Sequence, residues 1–194
     1  MKAMWKACIG VSLLAMVFCS SWEGTASARA AKVEKVLYSR YNIHYFAKKD
    51  VNTASYANYT DCPGHSFLPY GTKLKVESLS SYGFRLVAID TGMKIRFEYK
   101  AKRMDGMSSK DYIDLITSPT PVSYSNLTAQ DEQGIKAGKA LVGMTKQGVM
   151  VALGYPEKEK TPSTERNTWY YWSDRFAYYL VSFDDSGKVT SIQR

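Results

Sequence analysis

The clearest pattern of apolar and polar positions in the chain runs over residues 93–102. Every second position there is apolar and the positions between are charged, an alternation that is typical of a half-buried β-strand. Two shorter stretches, 74–77 and 84–89, are also rich in apolar residues, and turn sequences containing Ser, Asp and Gly separate the three. The pattern therefore predicts an antiparallel three-stranded meander over residues 72–103.

The segments around this meander predict a strand, a loop and a helix. Residues 33–46 are rich in Val and Tyr and predict a strand, whereas residues 48–65 are polar, contain Asn, Pro and Gly, and predict a long loop. Ser108 and Asp111 have the spacing of a capped helix start, so we expect a short helix after them. The two prolines within residues 118–121 cannot continue that helix, and we place a boundary between two parts of the chain there.

Two capped helices are predicted after the boundary. Thr128 and Asp131 have the spacing of a capping box, and a helix runs from there towards Lys139. Thr145 is a second N-cap, and the helix that follows it ends at Gly154, because glycine readily adopts a positive φ. Three apolar residues spaced i, i+3 and i+4 form the buried face of this second helix: Val149, Ala152 and Leu153.

Three strand patterns complete the chain, at 169–172, 176–183 and 188–193. The order of elements in this half is helix, helix, strand, strand, strand. The whole chain is thus predicted to be α+β, with a mainly antiparallel β domain over residues 31–122 and an α-α-β-β-β domain over residues 123–194.

The first thirty residues have the three parts of a secretory signal sequence. Two lysines precede a 12-residue apolar run at 8–19, and a site of small residues ends at Ala30. The apolar run is shorter than the about 20 residues that a membrane-spanning helix needs. We predict export with cleavage after Ala30, with residues 26–28 as the alternative site, and no transmembrane span in the mature chain. Lipid attachment at Cys19 is the alternative to a free protein.

The predicted mature chain keeps 23 basic and 17 acidic residues, a net charge of +6. The full chain is 45 % hydrophobic and 23 % charged, which excludes collagen-like and broadly disordered classes. Export argues against nucleic acid as a partner, and the basic balance favours an anionic lipid, a glycan surface or an acidic envelope protein. A single cysteine, Cys62, remains, so we expect no internal disulfide. No motif indicates a cofactor.

Residues 141–193 contain three motifs in a fixed order. The first motif has glycine, threonine and proline at the ends of the predicted helix and apolar residues within it: Gly143, Met144, Thr145, Val149, Leu153, Gly154 and Pro156. A Trp-x-Tyr strand follows at Trp169 and Tyr171, and a hairpin contains Phe183, Gly187 and Val189. These motifs resemble the SmpA/OmlA family of small BamE-like outer-membrane proteins. The resemblance implies two helices packed on a three-stranded antiparallel sheet, and a non-enzymatic accessory role in outer-membrane assembly or maintenance.

Two groups of side chains are candidate binding residues. The first is an aromatic cluster of the C-terminal half with its neighbouring arginine: Trp169, Tyr171, Trp172 and Arg175. Alternation along the strand divides the aromatic residues between the two faces of the sheet, but it does not say which face is buried. The second is the basic face of the strand at 93–102: Lys94, Arg96 and Lys100. We therefore predict a non-enzymatic, exported envelope protein that binds another protein.

Two alternatives involve chemistry. Residues 68–76 resemble the first strand of the double-psi barrels of cell-wall lytic proteins, and Asp90 would then be the catalytic acid. A plain barrel or meander accounts for the same residues. Cys62 and His65, with His44 upstream, have side chains suited to a nucleophile pair or a three-ligand metal site. A Pro-Gly turn with unrelated neighbours is the simpler interpretation.

Overall fold

The computed structural model describes residues 35–48 and 51–194. The predicted signal sequence, with Cys19 and both cleavage sites, lies outside these residues. The described residues form one compact unit. Its mixture of strands and helices confirms the predicted α+β class. No helix in the described ranges is both long enough and apolar enough to cross a membrane.

Eight of the strands belong to a single sheet. They are β1 (Leu37–Ser39), β2 (Ile43–Lys48), β3 (Val51–Ser55), β4 (His65–Leu68), β5 (Lys73–Ser80), β6 (Gly83–Ala88), β7 (Lys94–Glu98) and β8 (Thr117–Ser118). Their order in the sheet is β4-β2-β3-β7-β6-β5-β1-β8. Neighbouring strands are antiparallel, except that β3 and β7 pair in parallel.

The sheet has to curl, because β1 and β2 are joined only by residues 40–42 yet lie five strand positions apart. Five spacings of about 4.8 Å would separate the two strands by about 24 Å in a flat sheet. The four chain steps from Ser39 to Ile43 reach about 14 Å at most. Curling brings β1 and β2 together and encloses an apolar interior.

The predicted meander is confirmed, because β5, β6 and β7 pair antiparallel in sequence order. The predicted strand at 33–46 is divided by the bend at 40–42. The predicted loop at 48–65 is wrong in part, since it contains β3 and the start of β4. Thr53 and Ser55 of β3 are small polar residues that lie buried, so the strand has no apolar pattern. The alternation at 93–102 is strand only to Glu98, and Ala101–Met104 form a short 3-10 helix.

Aromatic rings fill the interior of the curled sheet. Phe84 and Phe97 stack with their centroids 4.6 Å apart, and Tyr112 packs on Phe97 at 5.7 Å. Tyr112 belongs to α1 (Ser109–Ile116), whose N-cap Ser108 accepts a hydrogen bond from the Asp111 backbone N–H as predicted. The helix thus closes one side of the interior with its apolar face.

The C-terminal elements follow the predicted order. They are α2 (Ala129–Ala137), α3 (Lys146–Leu153), β9 (Thr168–Trp172), β10 (Tyr178–Phe183) and β11 (Val189–Gln193), and the strands form a second sheet in the order β11-β10-β9. Trp169 and Tyr171 point into the core beneath α2 and α3 and are fully buried. Their assignment as binding residues is therefore wrong, because the buried face of β9 is the one that carries them.

Asp131 joins the starts of the two C-terminal helices. Its buried carboxylate accepts hydrogen bonds from the Thr128 backbone N–H (2.9 Å), the Thr145 backbone N–H (2.7 Å) and the Thr145 hydroxyl (3.1 Å). A Cβ at Gly148 would lie 2.0 Å from this carboxylate. Glycine at the start of α3 therefore leaves room for the carboxylate that caps α2.

The curled sheet is held against the end of α3 by residues at the start of β2. The Asn42 side-chain amide donates to the carbonyls of Ile135 (2.8 Å) and Ala152 (3.2 Å). The Asn42 backbone N–H donates to the Val151 carbonyl (2.8 Å), and His44 Nε2 lies 2.8 Å from the Ala152 oxygen. The last carbonyls of a helix lack partners within the helix, so these contacts satisfy them.

Two buried tyrosines provide a matched test of this packing. The Tyr112 hydroxyl has no hydrogen-bond partner among the described residues, whereas the Tyr171 hydroxyl donates to the Gly154 carbonyl at 3.1 Å. Tyr112→Phe removes an unpaired buried polar group, so we expect the free energy of unfolding to stay level or rise. Tyr171→Phe should lower it by about 1 kcal/mol or more, because a buried carbonyl loses its donor. Urea denaturation of both variants measures the difference, and equal losses would contradict the assigned contacts.

Candidate functional site

The outward face of the C-terminal sheet is aromatic. Tyr170, Trp172 and Tyr178 lie on it, opposite the buried face, with ring centroids 5.6 Å apart for Tyr170 and Tyr178 and 5.7 Å for Trp172 and Tyr178. Lys160 Nζ lies 5.3 Å from the centre of the Tyr178 ring, within cation–π range. The face therefore combines flat apolar surface with positive charge.

The turn between β9 and β10 extends this face into solvent. Phe176 is 89 % exposed at the tip of the turn, beside Arg175. Asp174 Oδ1 accepts hydrogen bonds from the backbone N–H groups of Phe176 (2.6 Å) and Ala177 (2.9 Å), which fixes the turn. We call Tyr170, Trp172, Arg175, Phe176 and Tyr178 the hairpin-tip surface.

A pocket of about 170 Å³ opens beside the hairpin-tip surface. Its lining comes from the segments after β3, β7 and α3, from the end of β9 and from the turn after β9: Tyr56, Ala57, Tyr59, Lys100, Arg103, Glu157, Trp172 and Arg175. We call it the Glu157 pocket. Backbone hydrogen bonds connect its walls, from Tyr56 N–H to the Glu98 carbonyl (3.2 Å) and from Glu159 N–H to the Arg103 carbonyl (3.1 Å).

Glu157 is the buried acid of this pocket, with 2 % of its side chain exposed. Its Oε2 accepts a hydrogen bond from the Trp172 indole N–H at 2.6 Å, and its Oε1 lies 3.9 Å from Arg103 Nε. Burial raises the pKa of Glu157, while the Trp172 hydrogen bond and the Arg103 charge act against that rise. Burial also raises the pKa of Tyr56 to about 12, with the Glu157 charge contributing, so the phenol keeps its proton.

The positive side chains of the pocket differ in how they are paired. The Arg103 guanidinium forms a hydrogen bond and ion pair with Glu159 outside the pocket. Lys100 and Arg175 have no acidic side chain within ion-pair distance among the residues that the structure describes. The pocket therefore presents unneutralised positive charge next to a buried carboxylate.

Three of the predicted binding residues meet here. The sequence predicts Lys100 on the basic strand and Trp172 and Arg175 in the aromatic cluster, and all three line the Glu157 pocket. Lys94 and Arg96 stay on the strand, where their charges are paired with Glu77 at 2.5 Å and Glu98 at 3.3 Å, respectively. The polar face of β7 is thus partly neutralised.

Sequence reasoning missed the other residues of the pocket. Tyr56 and Tyr59 fall in the predicted loop at 48–65, and Arg103 falls beyond the end of β7. Glu157 follows Pro156 in a connecting segment, and nothing in its neighbours along the chain marks it as buried. The closely spaced Tyr56 and Tyr59 are the local sequence signal that could have indicated a binding surface in this segment.

The two histidines lie together and do not line the Glu157 pocket. His44 Nδ1 is 2.8 Å from His65 Nε2, and the rings stack with centroids 5.1 Å apart. A carbonyl oxygen only accepts, so His44 Nε2 carries a proton and donates to Ala152. When His44 is neutral, its Nδ1 therefore accepts from His65 Nε2–H. Burial, above all, lowers the pKa of His44 to about 4.

The residues of the chemical alternatives do not assemble into a centre. No three His, Cys, Asp or Glu side chains in the described part of the chain are placed to hold a metal ion, so the set His44, Cys62 and His65 is not a metal site there. Burial raises the pKa of the Cys62 thiol, which disfavours the nucleophilic thiolate. The Asp90 side chain is 67 % exposed in the β6–β7 turn, 3.9 Å from Lys73.

The neutral state of His44 generates a pH prediction. The pKa of His44 is lower in the folded protein than its usual 6.5, so the unfolded chain binds more protons as the pH falls. The free energy of unfolding should therefore decrease by about 2 kcal/mol from pH 7 to pH 5 through His44 alone. His44→Gln, which keeps a donor but does not titrate, should flatten this dependence. Urea denaturation at both pH values checks this, and an unchanged slope would contradict the assignment.

Comparison with known proteins assigns no family to the chain. No protein-family model matches it, and no match is found among curated proteins or solved structures. The residues described above are therefore the basis for the functional conclusion.

Proposed function

We propose that the protein is a non-enzymatic, exported binding protein of the cell envelope, and that its hairpin-tip surface binds another protein. The observation behind this proposal is Phe176, an 89 % exposed aromatic side chain on a turn that is braced by two backbone hydrogen bonds to Asp174. Leaving a large apolar side chain in water gains the isolated fold nothing. Its presence on a fixed turn favours a role in binding.

The composition of the hairpin-tip surface supports this proposal. Protein-binding surfaces are enriched in aromatic residues and arginine, and a few such residues supply most of the binding energy. The Tyr178 ring contacts the rings of both Tyr170 and Trp172, which favours an arrangement that exists before a partner arrives. A surface that is already ordered loses little conformational entropy on binding.

The envelope assignment depends on the sequence. The predicted signal sequence supports export, and the resemblance of residues 141–193 to the SmpA/OmlA family supports a role in outer-membrane assembly or maintenance. The observed order of two helices followed by three antiparallel strands is compatible with that resemblance. We further propose that the mature protein is not lipid-anchored, since Phe18 precedes Cys19 where lipoproteins have a small residue.

Site-specific photo-crosslinking tests the binding surface. With p-benzoylphenylalanine in place of Phe176, illumination of the cell envelope should give one discrete adduct with an envelope protein. Arg175→Ala in the same protein should lower the adduct yield several-fold, because it removes the cationic neighbour of the probe. Excess purified wild-type protein should compete for the adduct, and excess Phe176→Ala protein should not.

Tyr82 provides the matched control. It is 86 % exposed on the β5–β6 turn and belongs to neither the hairpin-tip surface nor the Glu157 pocket. The same photo-reactive residue at position 82 should not give the adduct. An identical adduct from both positions, or none from position 176, would refute the proposed surface.

Mass spectrometry of the protein isolated from its own host tests export. We expect a mature species that begins at Ala31 and is recovered without detergent. A chain that keeps residues 1–30 would contradict export. A diacylated N-terminus at Cys19 would show that the protein is a lipoprotein, which contradicts the free form but agrees with a location in the cell envelope.

A further inference from the structure

The Glu157 pocket has features of a ligand site that the binding of a protein to the hairpin tip does not use. Glu157 Oε2 is occupied by the Trp172 indole N–H, but Oε1 accepts no hydrogen bond from the described residues, and Arg103 Nε at 3.9 Å is too far for one. That oxygen therefore has acceptor positions left for a ligand. Since the pocket is lined by this side chain, a bound donor is able to reach it.

The pocket also contains positive charge, opposite in sign to the Glu157 carboxylate. Lys100 and Arg175 line it and have no acidic partner within ion-pair distance in the described chain. Guanidinium and ammonium groups bind phosphate through strong, charge-assisted hydrogen bonds. The aromatic rings of Tyr56, Tyr59 and Trp172 provide surfaces that attract a cation.

The size of the pocket limits the ligand. Its volume of about 170 Å³ is below the roughly 300–1,000 Å³ that is usual for sites of drug-sized ligands. The pocket therefore suits a compact polar group better than a nucleotide or a disaccharide. A ligand that contacts both Glu157 and the positive side chains Lys100 and Arg175 must carry a hydrogen-bond donor and an anionic group close together.

We propose that the Glu157 pocket binds a small aminoalkyl phosphate, with its ammonium group on Glu157 and its phosphate on Lys100 and Arg175. Such a group occurs free in solution and as the headgroup of an aminophospholipid, and the pocket chemistry is the same for both. The inference goes beyond the proposed binding of a protein by the hairpin tip. Phe176 does not line the pocket, so the two are separable by experiment.

Isothermal titration of the full mature protein with phosphoethanolamine tests the pocket. We expect saturable binding by phosphoethanolamine, and affinities at least about tenfold weaker for inorganic phosphate and for ethanolamine, because each makes only one of the two charged contacts. No saturable binding of phosphoethanolamine would overturn the proposal. Equal affinity for inorganic phosphate would overturn the role of Glu157, and equal affinity for glycine would overturn the preference for phosphate.

Two variants assign the ends of the ligand. Glu157→Gln keeps the side-chain length and an acceptor for the Trp172 indole N–H, and it should weaken phosphoethanolamine about tenfold while leaving inorganic phosphate unchanged. Lys100→Met should weaken both ligands. Lys102→Met and Glu165→Gln are matched controls, since both residues are exposed outside the pocket and should leave affinity unchanged. Loss of affinity in the controls alone would contradict the assignment.

Vesicles distinguish the source of the group. Vesicles that contain phosphatidylethanolamine should retain the protein, and Glu157→Gln should release it, if the ligand is a lipid headgroup. Binding of free phosphoethanolamine without retention on these vesicles assigns the site to a soluble compound. Phe176→Ala should preserve phosphoethanolamine binding even where it abolishes the protein adduct, so failure of the protein-binding proposal is distinguishable from failure of this one.

Discussion

The fold depends on the hydrogen bonds that the last carbonyl groups of α3 accept from outside the helix. The carbonyls of Val151 and Ala152 belong to the last turn of this helix and are buried, so each needs a donor from elsewhere in the chain. Asn42 and His44 supply these donors from the curled sheet. A helix end without them would leave buried carbonyls unpaired, at a cost of about 1–3 kcal/mol each. The contacts thereby fix the position of the C-terminal part against the sheet.

The Glu157 pocket exists because of this contact. Glu157 comes shortly after the end of α3, whereas Tyr56 follows β3 on the sheet side. Asn58 Nδ2 donates to the Tyr155 carbonyl at 2.8 Å, which draws the segment after α3 onto the segment after β3. Further along, the Thr60 backbone N–H donates to the Trp172 carbonyl at 3.2 Å. Elements that are distant in sequence thus form the walls of one pocket.

Local features of the fold were predictable from the sequence, and non-local ones were not. The caps at Thr128 and Thr145 involve residues within three positions, so their spacing alone indicated the helices. Strand β3 forms because it pairs in parallel with β7, far along the chain, and its buried Thr53 and Ser55 give no apolar signal. The pocket was beyond sequence reasoning for the same reason. The sequence predicts Lys100, Trp172 and Arg175 as binding residues, but only the folded chain brings them to Glu157.

Trp172 belongs to both candidate sites. Its indole N–H binds Glu157 inside the pocket, while its ring contacts Tyr178 on the hairpin-tip surface at 5.7 Å. A ligand that takes up a position on Glu157 therefore acts on the same side chain that a protein partner would contact. A substitution of Trp172 removes both contacts at once and cannot separate them. Phe176 and Lys100 each belong to only one of the two sites, so they are the residues at which protein binding and ligand binding are physically independent.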